Sequence, residues 1–138
     1  MARVFAFVFL YFSGGESSAS PLLVSGEIAG HSVVWLVDTG ASEPVLSRQM
    51  ATRLGLEIRA STDQVAHSAG ISTVARARLR GTVIDHHHLP DLSAIVMPGN
   101  HPKYPLMGLS ALRYFTLILD QGQMTLEPAR SSGIIRQP

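Results

Sequence analysis

Cysteine is absent from this chain of 138 residues. Without thiols the chain forms no disulfides and has no cysteine nucleophile, and its redox compartment is left undetermined. Charge is scarce as well, because charged residues make up 15% of the chain and its net charge is +1. Nucleic-acid-binding domains typically carry a basic patch or stripe, so this composition argues against a nucleic-acid partner.

Long hydrophobic segments are also scarce, and the apolar run at residues 4–12 contains only nine residues. A membrane-spanning helix needs about 20. The run is typical of a signal-peptide h-region, with Arg3 before it and Ser17 and Ala19 at small-residue cleavage positions. The alternatives are a β-prone strand in a sheet and the remnant of a longer anchor. We therefore favour export, or membrane association through the N-terminus on the periplasmic side, over a cytoplasmic location.

The length of the chain fits a single domain with one core. Residues 13–20 are rich in Gly and Ser, which is the composition of a linker. We therefore expect an apolar segment and linker at residues 1–20, one folded domain at residues 21–128 and a tail at residues 129–138.

Apolar alternation and frequent turn signals within residues 21–128 predict a mostly β domain. One short helix is expected after Ser47, a good N-cap, and before Gly55. A second helical turn is expected near residues 111–114. Such a pattern is typical of a small closed barrel or sandwich. The predicted strands are residues 22–28, 31–37, 64–67, 71–77, 92–97, 115–119 and 123–126.

The most informative stretch is Asp38-Thr39-Gly40-Ala41-Ser42, which follows the apolar run at residues 33–37. A strand that is apolar on both faces lies inside a sheet system, so a carboxyl at its end is partly desolvated and needs a partner. Thr39 supplies a hydroxyl, and Gly40 permits close backbone approach. The alternative is an ordinary turn in which Asp38 hydrogen-bonds to its own backbone. The apolar strand before the motif favours a catalytic loop.

A similar but weaker pattern of strand, turn and helix occurs later in the chain. Residues 36–40 precede one predicted helix, and Pro105-Leu106-Met107-Gly108 precede the other, as in two related halves. Only the first half carries an acid. The remaining aspartates occupy polar or turn-like contexts, where a solvated surface position is expected; they are Asp63, Asp85, Asp91 and Asp120.

With both halves in order, residues 21–128 resemble the retropepsin-like aspartic proteases, particularly single-domain bacterial members related to retroviral proteases. The resemblance rests on Leu-Val-Asp-Thr-Gly-Ala-Ser at residues 36–42, the later Leu-Met-Gly at 106–108 and the hairpins around them. It implies that Asp38 is the catalytic carboxylate, that Thr39 braces paired loops and that Gly40 sits beside the substrate. It implies no cofactor and no metal.

Peptide hydrolysis needs two close carboxyls, whereas this chain has one suitable loop. The simplest arrangement is a homodimer in which two copies of Asp38 face each other across a two-fold axis. The enzyme would then be an aspartic endopeptidase with a peptide or protein substrate. Retroviral members commonly have Gly-Arg-Asp or Gly-Arg-Asn where this chain has Gly108-Leu109-Ser110. The tail residues Ile134-Ile135 can supply a terminal strand.

The predicted hairpin around Ser68-Ala69-Gly70 corresponds to the flap of such enzymes. An extended peptide is expected to bind beneath it, with mainly apolar residues flanking the cut. The residues predicted to contact substrate are Ala41, Ala69, Gly70, Ile71, Val96 and Leu106.

Three other sequence features do not favour a catalytic or metal site. His86-His87-His88 does not favour a metal site, because consecutive strand residues point to alternate faces, and a solvated loop is expected instead. Ser42 and Ser110 lie outside any nucleophile elbow and are expected to be structural hydrogen-bonders. The alternating arginines at residues 76–80 indicate a half-solvated strand. Two non-enzymatic functions stay open: a catalytically inactive retropepsin-fold dimer that binds peptides by β-augmentation, and a β-domain whose Asp-Thr-Gly is only a turn.

Overall fold

A computed structural model describes the backbone of residues 4–6 and the structure of residues 21–130. The predicted linker, the cleavage positions and the tail strand at Ile134-Ile135 lie outside these residues. The described chain is mostly β, as predicted. Its strands are β1 (Val4–Ala6), β2 (Leu23–Ile28), β3 (His31–Val37), β4 (Val45–Ser47), β5 (Ile58–Arg59), β6 (Gln64–His67), β7 (Gly70–Thr73), β8 (Ala75–Leu79), β9 (Val83–Ile84), β10 (His87–His88), β11 (Leu92–Met97), β12 (Leu106–Met107), β13 (Phe115–Asp120) and β14 (Gln123–Pro128). The two short helices are α1 (Arg48–Arg53) and α2 (Leu109–Leu112).

Most strands belong to one mixed sheet of nine strands, in the order β10-β9-β2-β3-β12-β4-β11-β8-β5. A three-stranded sheet contains β1, β6 and β7, and β13 pairs only with β14 among the described strands. The predicted closed barrel is not seen in the part of the chain that the structure describes, because β10 and β5 end the sheet without pairing to each other.

The helix α1 begins and ends where local sequence signals place it. Ser47 is the N-cap, and its Oγ accepts a hydrogen bond from the backbone N of Met50 at 3.0 Å. Leu54 caps the other end, and Gly55 follows it. Met50 and Ala51 are buried against the sheet, so the predicted packing helix is confirmed.

The strand β3 is less enclosed than its sequence suggests. Val33 and Trp35 are buried, but Val34 between them is exposed on the other face. The expectation of burial on both faces is therefore wrong for the centre of this strand. Trp35 fixes the buried face, because its Nε1 donates a hydrogen bond to the carbonyl oxygen of Val83 at 3.2 Å.

The two predicted halves lie side by side in the sheet. The strand β12 pairs with β3 in parallel, with Leu106 opposite Leu36 and Met107 opposite Val37. The similar pattern of the two segments in the sequence thus corresponds to adjacent strands whose ends point in the same direction.

Two details differ from the predicted elements. Residues 71–77 do not form one strand, because the chain changes sheets at Val74, between β7 and β8. His87-His88 form a short strand paired with β9 rather than a solvated loop, and the His87 ring packs edge-on against Phe115 with centroids 5.9 Å apart. One alternative for the N-terminal apolar run was a strand in a sheet. Residues 4–6 of that run form such a strand, which pairs in parallel with β6. None of the described helices has the length and apolar character needed to cross a membrane.

Candidate active site

Asp38 lies immediately after β3, where the neighbouring strand β12 also ends. Its backbone N donates to the carbonyl oxygen of Met107 at 3.2 Å, which holds the start of the turn against the second half of the domain. Asp38 is half-exposed, and its Oδ1 accepts a hydrogen bond from the backbone N of Gly40 at 2.8 Å. Thr39 and Gly40 are exposed. The sheet therefore delivers this carboxyl to the surface of the protein.

The hydrogen bond within the turn occurs in ordinary Asp-containing turns as well as in catalytic loops. What sets this turn apart is the support beneath residues 38–44, here called the Asp38 loop. The carbonyl oxygen of Ala41 accepts from the N of Leu109 at 2.8 Å, and that of Ser42 accepts from the N of Ser110 at 3.0 Å. The first turn of α2 thus anchors the loop from below.

Gly108 is required by the same anchoring. A Cβ at this position would overlap the carbonyl of Glu43, so only glycine lets α2 approach the Asp38 loop this closely. The side chain of Ser110 behaves differently from the prediction. Its Oγ is buried without a hydrogen-bond partner in the described chain, so Ser110 supports the loop through its backbone N alone.

The other described aspartates differ from Asp38 because each is either exposed or paired with an arginine. Asp91 pairs with Arg78 at 3.2 Å, and the side chain of Asp85 is 61% exposed. Asp120 is also exposed. For Asp63 the expected solvated position is wrong, because its side chain is only 14% exposed and pairs with Arg76 at 3.3 Å.

The predicted flap corresponds to a hairpin of β6 and β7, here called the flap hairpin (residues 64–73). His67 pairs with Gly70 across it, and Ser68 and Ala69 form the tip. The root of the hairpin lies where β6 begins and β7 ends, and it is flanked by Asp63 and Val74. At this root, Val65 and Val74 belong to the same buried apolar cluster as Ala41 and Leu106. The root of the flap hairpin and the Asp38 loop therefore share one core.

The residues predicted to contact substrate fall into two groups. Ala69, Gly70 and Ile71 are exposed on the flap hairpin. Ala41 and Leu106 are buried where the hairpin root meets the Asp38 loop, and Val96 is buried in a separate cluster with Ala51 and Ala77. Only the first group presents side chains or backbone at the surface of a single chain.

Arg76 is a residue to which the sequence assigned no chemistry. Its Nη1 donates to Oε2 of Glu43 at 2.9 Å, and its Nε lies 3.3 Å from Oδ2 of Asp63. Alternating arginines signal a strand but not its partners, since Glu43 lies 33 residues away in sequence. The half-solvated description therefore misses the ion pairs that join Arg76 to the site.

No group of three or more His, Cys, Asp or Glu side chains suited to a metal occurs among the described residues. The surface has two grooves of about 630 Å³ each whose linings do not include Asp38. One is lined by arginines of β5 and β8, and the other by residues of β2, β3 and α1.

Three solved structures with a similar fold are two aspartic proteases and a retroviral protease-like domain. A retropepsin-like aspartic protease from Rickettsia conorii has a TM-score of 0.60 at 19% identity, with 78% of this chain and 82% of that chain covered. The retroviral protease-like domain of Ddi1 from Leishmania major has a TM-score of 0.53 at 16% identity, with 83% and 99% covered. The EIAV protease, solved with the inhibitor HBY-793, has a TM-score of 0.54 at 18% identity, with 73% and 91% covered.

At the level of sequence, a comparison with curated proteins gives no match. A family model described as "gag-polyprotein putative aspartyl protease" matches residues 24–114, which is more than half of the chain. The matched residues run from β2 through the Asp38 loop and flap hairpin to the end of α2. The chain therefore belongs to this gag-type aspartyl protease family and has the retropepsin-like fold.

Proposed function

We propose that this protein is an aspartic endopeptidase that acts as a homodimer, in which two Asp38 carboxyls activate the attacking water. The observation that carries the proposal is the Asp38 loop itself. Asp38 is half-exposed, and the loop is anchored from below by α2. Membership of an aspartyl protease family supports the same chemistry.

The chemistry requires a base and an acid at one place. One carboxylate takes a proton from water as the water oxygen attacks the peptide carbonyl carbon, and the other carboxyl donates its proton to the carbonyl oxygen. The tetrahedral intermediate then collapses: the carboxyl that took the water proton donates it to the amine nitrogen as the C–N bond breaks, and the other carboxylate takes a proton from a hydroxyl of the intermediate as the new carboxylic acid forms. Within the described chain the other aspartates are exposed or ion-paired, so a second copy of Asp38 is the natural partner.

The surface proposed to bring the two copies together is the C-terminal hairpin, formed by β13 and β14 (residues 115–128). A two-stranded hairpin is only marginally stable by itself. One face of this hairpin begins at Phe115 and Leu126, which pack on the main core, and continues to Leu117 and Leu119. Leu119 is 71% exposed. A second copy of the chain would cover this apolar face, and the hairpin follows directly from the helix that supports the Asp38 loop.

The proposed substrate is an extended segment of peptide or protein bound between the flap hairpin and the Asp38 loop. Extended peptides hydrogen-bond to strand-like backbone and present alternate side chains to either side. The exposed residues Ala69, Gly70 and Ile71 would contact it from above, with Gly40 below. Ala41 and Leu106 shape the floor from within the cluster that they share with the hairpin root, whereas Val96 belongs to a separate cluster with Ala51 and Ala77 and is not carried forward as a contact.

The test is cleavage of an apolar peptide library by Asp38→Asn, which keeps the side-chain volume and removes the ionisable group. Cleavage should fall by about a thousandfold or more, as expected when a general acid-base group is removed. Asp85→Asn is the matched control, because it makes the same change at an exposed turn. Turnover close to wild type by purified Asp38→Asn would refute the proposal.

A second candidate function is a non-catalytic dimer that binds extended peptides by β-augmentation. One observation favours it: in the described chain β7 is an edge strand of its sheet, which is a ready template for another strand. This candidate predicts that Asp38→Asn binds peptides as the wild type does and that neither protein cleaves them.

A further inference from the structure

We infer that Arg76 is a positioning residue that fixes the flap hairpin relative to the Asp38 loop. Its importance for turnover rests on the proposed function, whereas its effect on the hairpin does not. Arg76 lies on β8, outside both segments, and its guanidinium pairs with Glu43 in the Asp38 loop and with Asp63 at the root of the flap hairpin.

The first carboxylate belongs to the Asp38 loop. Glu43 lies five residues after Asp38, and its backbone is the part of the loop against which Gly108 packs. The contact with Arg76 Nη1 is a charge-assisted hydrogen bond of 2.9 Å. Arg76 therefore holds the end of the loop that α2 also supports.

The second carboxylate belongs to the root of the flap hairpin. Asp63 immediately precedes β6, and its carbonyl oxygen accepts a hydrogen bond from the N of Val74 at 2.9 Å, which closes the hairpin at its base. Ser61 reinforces this closure, because its Oγ donates to the carbonyl oxygen of Val74 and accepts from the N of Asp63. The position of the Asp63 side chain is thus coupled to both strands of the hairpin, because hydrogen bonds join Asp63 to Val74.

Burial distinguishes these ion pairs from ordinary surface pairs. The side chains of Arg76, Glu43 and Asp63 are 22%, 20% and 14% exposed, so solvent screens their charges less than at an open surface. On the same strand, Arg78 pairs with Asp91, but its side chain is 66% exposed. Exposed pairs of that kind contribute little. The two arginines are therefore a matched pair for experiment.

Charge also sets what happens when Arg76 is lost. Its guanidinium pairs with a carboxylate of the Asp38 loop and with one at the hairpin root, so its removal takes away a positive charge that both carboxylates face. The Asp38 loop and the hairpin root then lose the ion pairs that both make with Arg76. The apolar cluster that contains Val65, Val74 and Ala41 keeps the two parts in contact, but it does not fix their orientation as a planar guanidinium does.

The experiment is hydrogen exchange of the full chain, followed in residues 64–73 of the flap hairpin and in residues 23–37 of β2 and β3 as an internal reference. Arg76→Gln should speed exchange in the hairpin by about tenfold and leave the reference unchanged. Arg78→Gln should change neither. On a cleaved peptide, Arg76→Gln should raise KM by about tenfold while kcat changes by less than about twofold.

The outcomes separate the inference from the proposed function. Equal acceleration in the hairpin and the reference would show that Arg76 only stabilises the fold, and unchanged exchange would show that it positions nothing; either result overturns the inference. If Arg76→Gln does not fold, Glu43→Gln decides, because it keeps the pair with Asp63 and should loosen the hairpin in the same direction. A wild-type protein without peptidase activity would refute the proposed function, and the exchange data would still judge Arg76.

Discussion

The imidazole Nε2 of His67 lies 2.8 Å from the Oγ of Ser72, so a side-chain hydrogen bond joins the two strands of the flap hairpin just below its tip. The other ring nitrogen, Nδ1, accepts a hydrogen bond from the backbone N of Ala69 at 3.3 Å. Together these contacts assign the proton to Nε2 and make it the donor to Ser72. By the register of the hairpin, His67 lies on the same face of β6 as the buried Val65. The contacts that hold the tip of the hairpin are therefore made on the face of β6 that carries the buried Val65.

Gly70 completes this tip, and its replacement gives the first prediction. Its φ is +130°, which L side chains rarely adopt, although no atom would clash with an added Cβ. Gly70→Val should therefore distort the tip and reduce kcat/KM by about tenfold, with little change in the melting temperature. Gly99→Val is the matched control, because Gly99 also has positive φ and free space but lies in a loop outside the hairpin. A large fall in melting temperature for Gly70→Val alone would show that Gly70 stabilises the fold rather than a working flap.

The second prediction concerns the C-terminal hairpin. Leu119→Glu places a charge on its exposed apolar face and should weaken dimerisation by about tenfold to a hundredfold, the cost of losing one buried leucine. Val34→Glu is the control, since Val34 is an exposed apolar residue on β3. Sedimentation should show a monomer for Leu119→Glu at concentrations where the control is dimeric, with specific activity falling in parallel. A dimer of undiminished strength would exclude this hairpin from the interface.

The third prediction is the pH dependence of cleavage. A pair of carboxyls works only while it holds one proton, so the rate should fall both when the pair is fully protonated and when it is fully ionised. We expect a bell-shaped pH–rate profile on the acidic side of neutrality, unaffected by metal chelators. Activity that disappears with a chelator and returns with zinc would instead require a metal site.

The parts of the fold that the sequence predicts well are those set by neighbouring residues. The hairpin of β2 and β3 is predicted by strand alternation on both sides of Ala29-Gly30. The start of α1 is predicted by Ser47, whose side chain accepts a hydrogen bond from Met50, three residues away. Asp38 is likewise marked by its own motif and by the strand before it. These features need no knowledge of distant parts of the chain.

The features that escaped prediction depend on residues far apart in sequence. In the sequence, Arg76 is one of several alternating arginines, and its ion pair with Glu43 forms only because the fold brings the two residues together. Val96 reads as a wall of the cleft, but pairing with β4 on one side and β8 on the other encloses it. The flap strand is too long in the prediction because nothing local to Val74 shows that the chain changes sheets there. The burial of a side chain and the identity of its ion-pair or strand partner depend on the assembled sheet, so they cannot be predicted from neighbouring residues.

The most direct test of the central claim, that two Asp38 carboxyls from different chains form one catalytic pair, is a mixing experiment. Wild type and Asp38→Asn are unfolded together, refolded at fixed total concentration and assayed over a range of wild-type fractions. If each active site needs Asp38 from both chains, activity follows the square of the wild-type fraction, and an equal mixture retains about one quarter of full activity. Activity proportional to the wild-type fraction, with about one half retained in the equal mixture, would show that a single Asp38 suffices and would contradict the account.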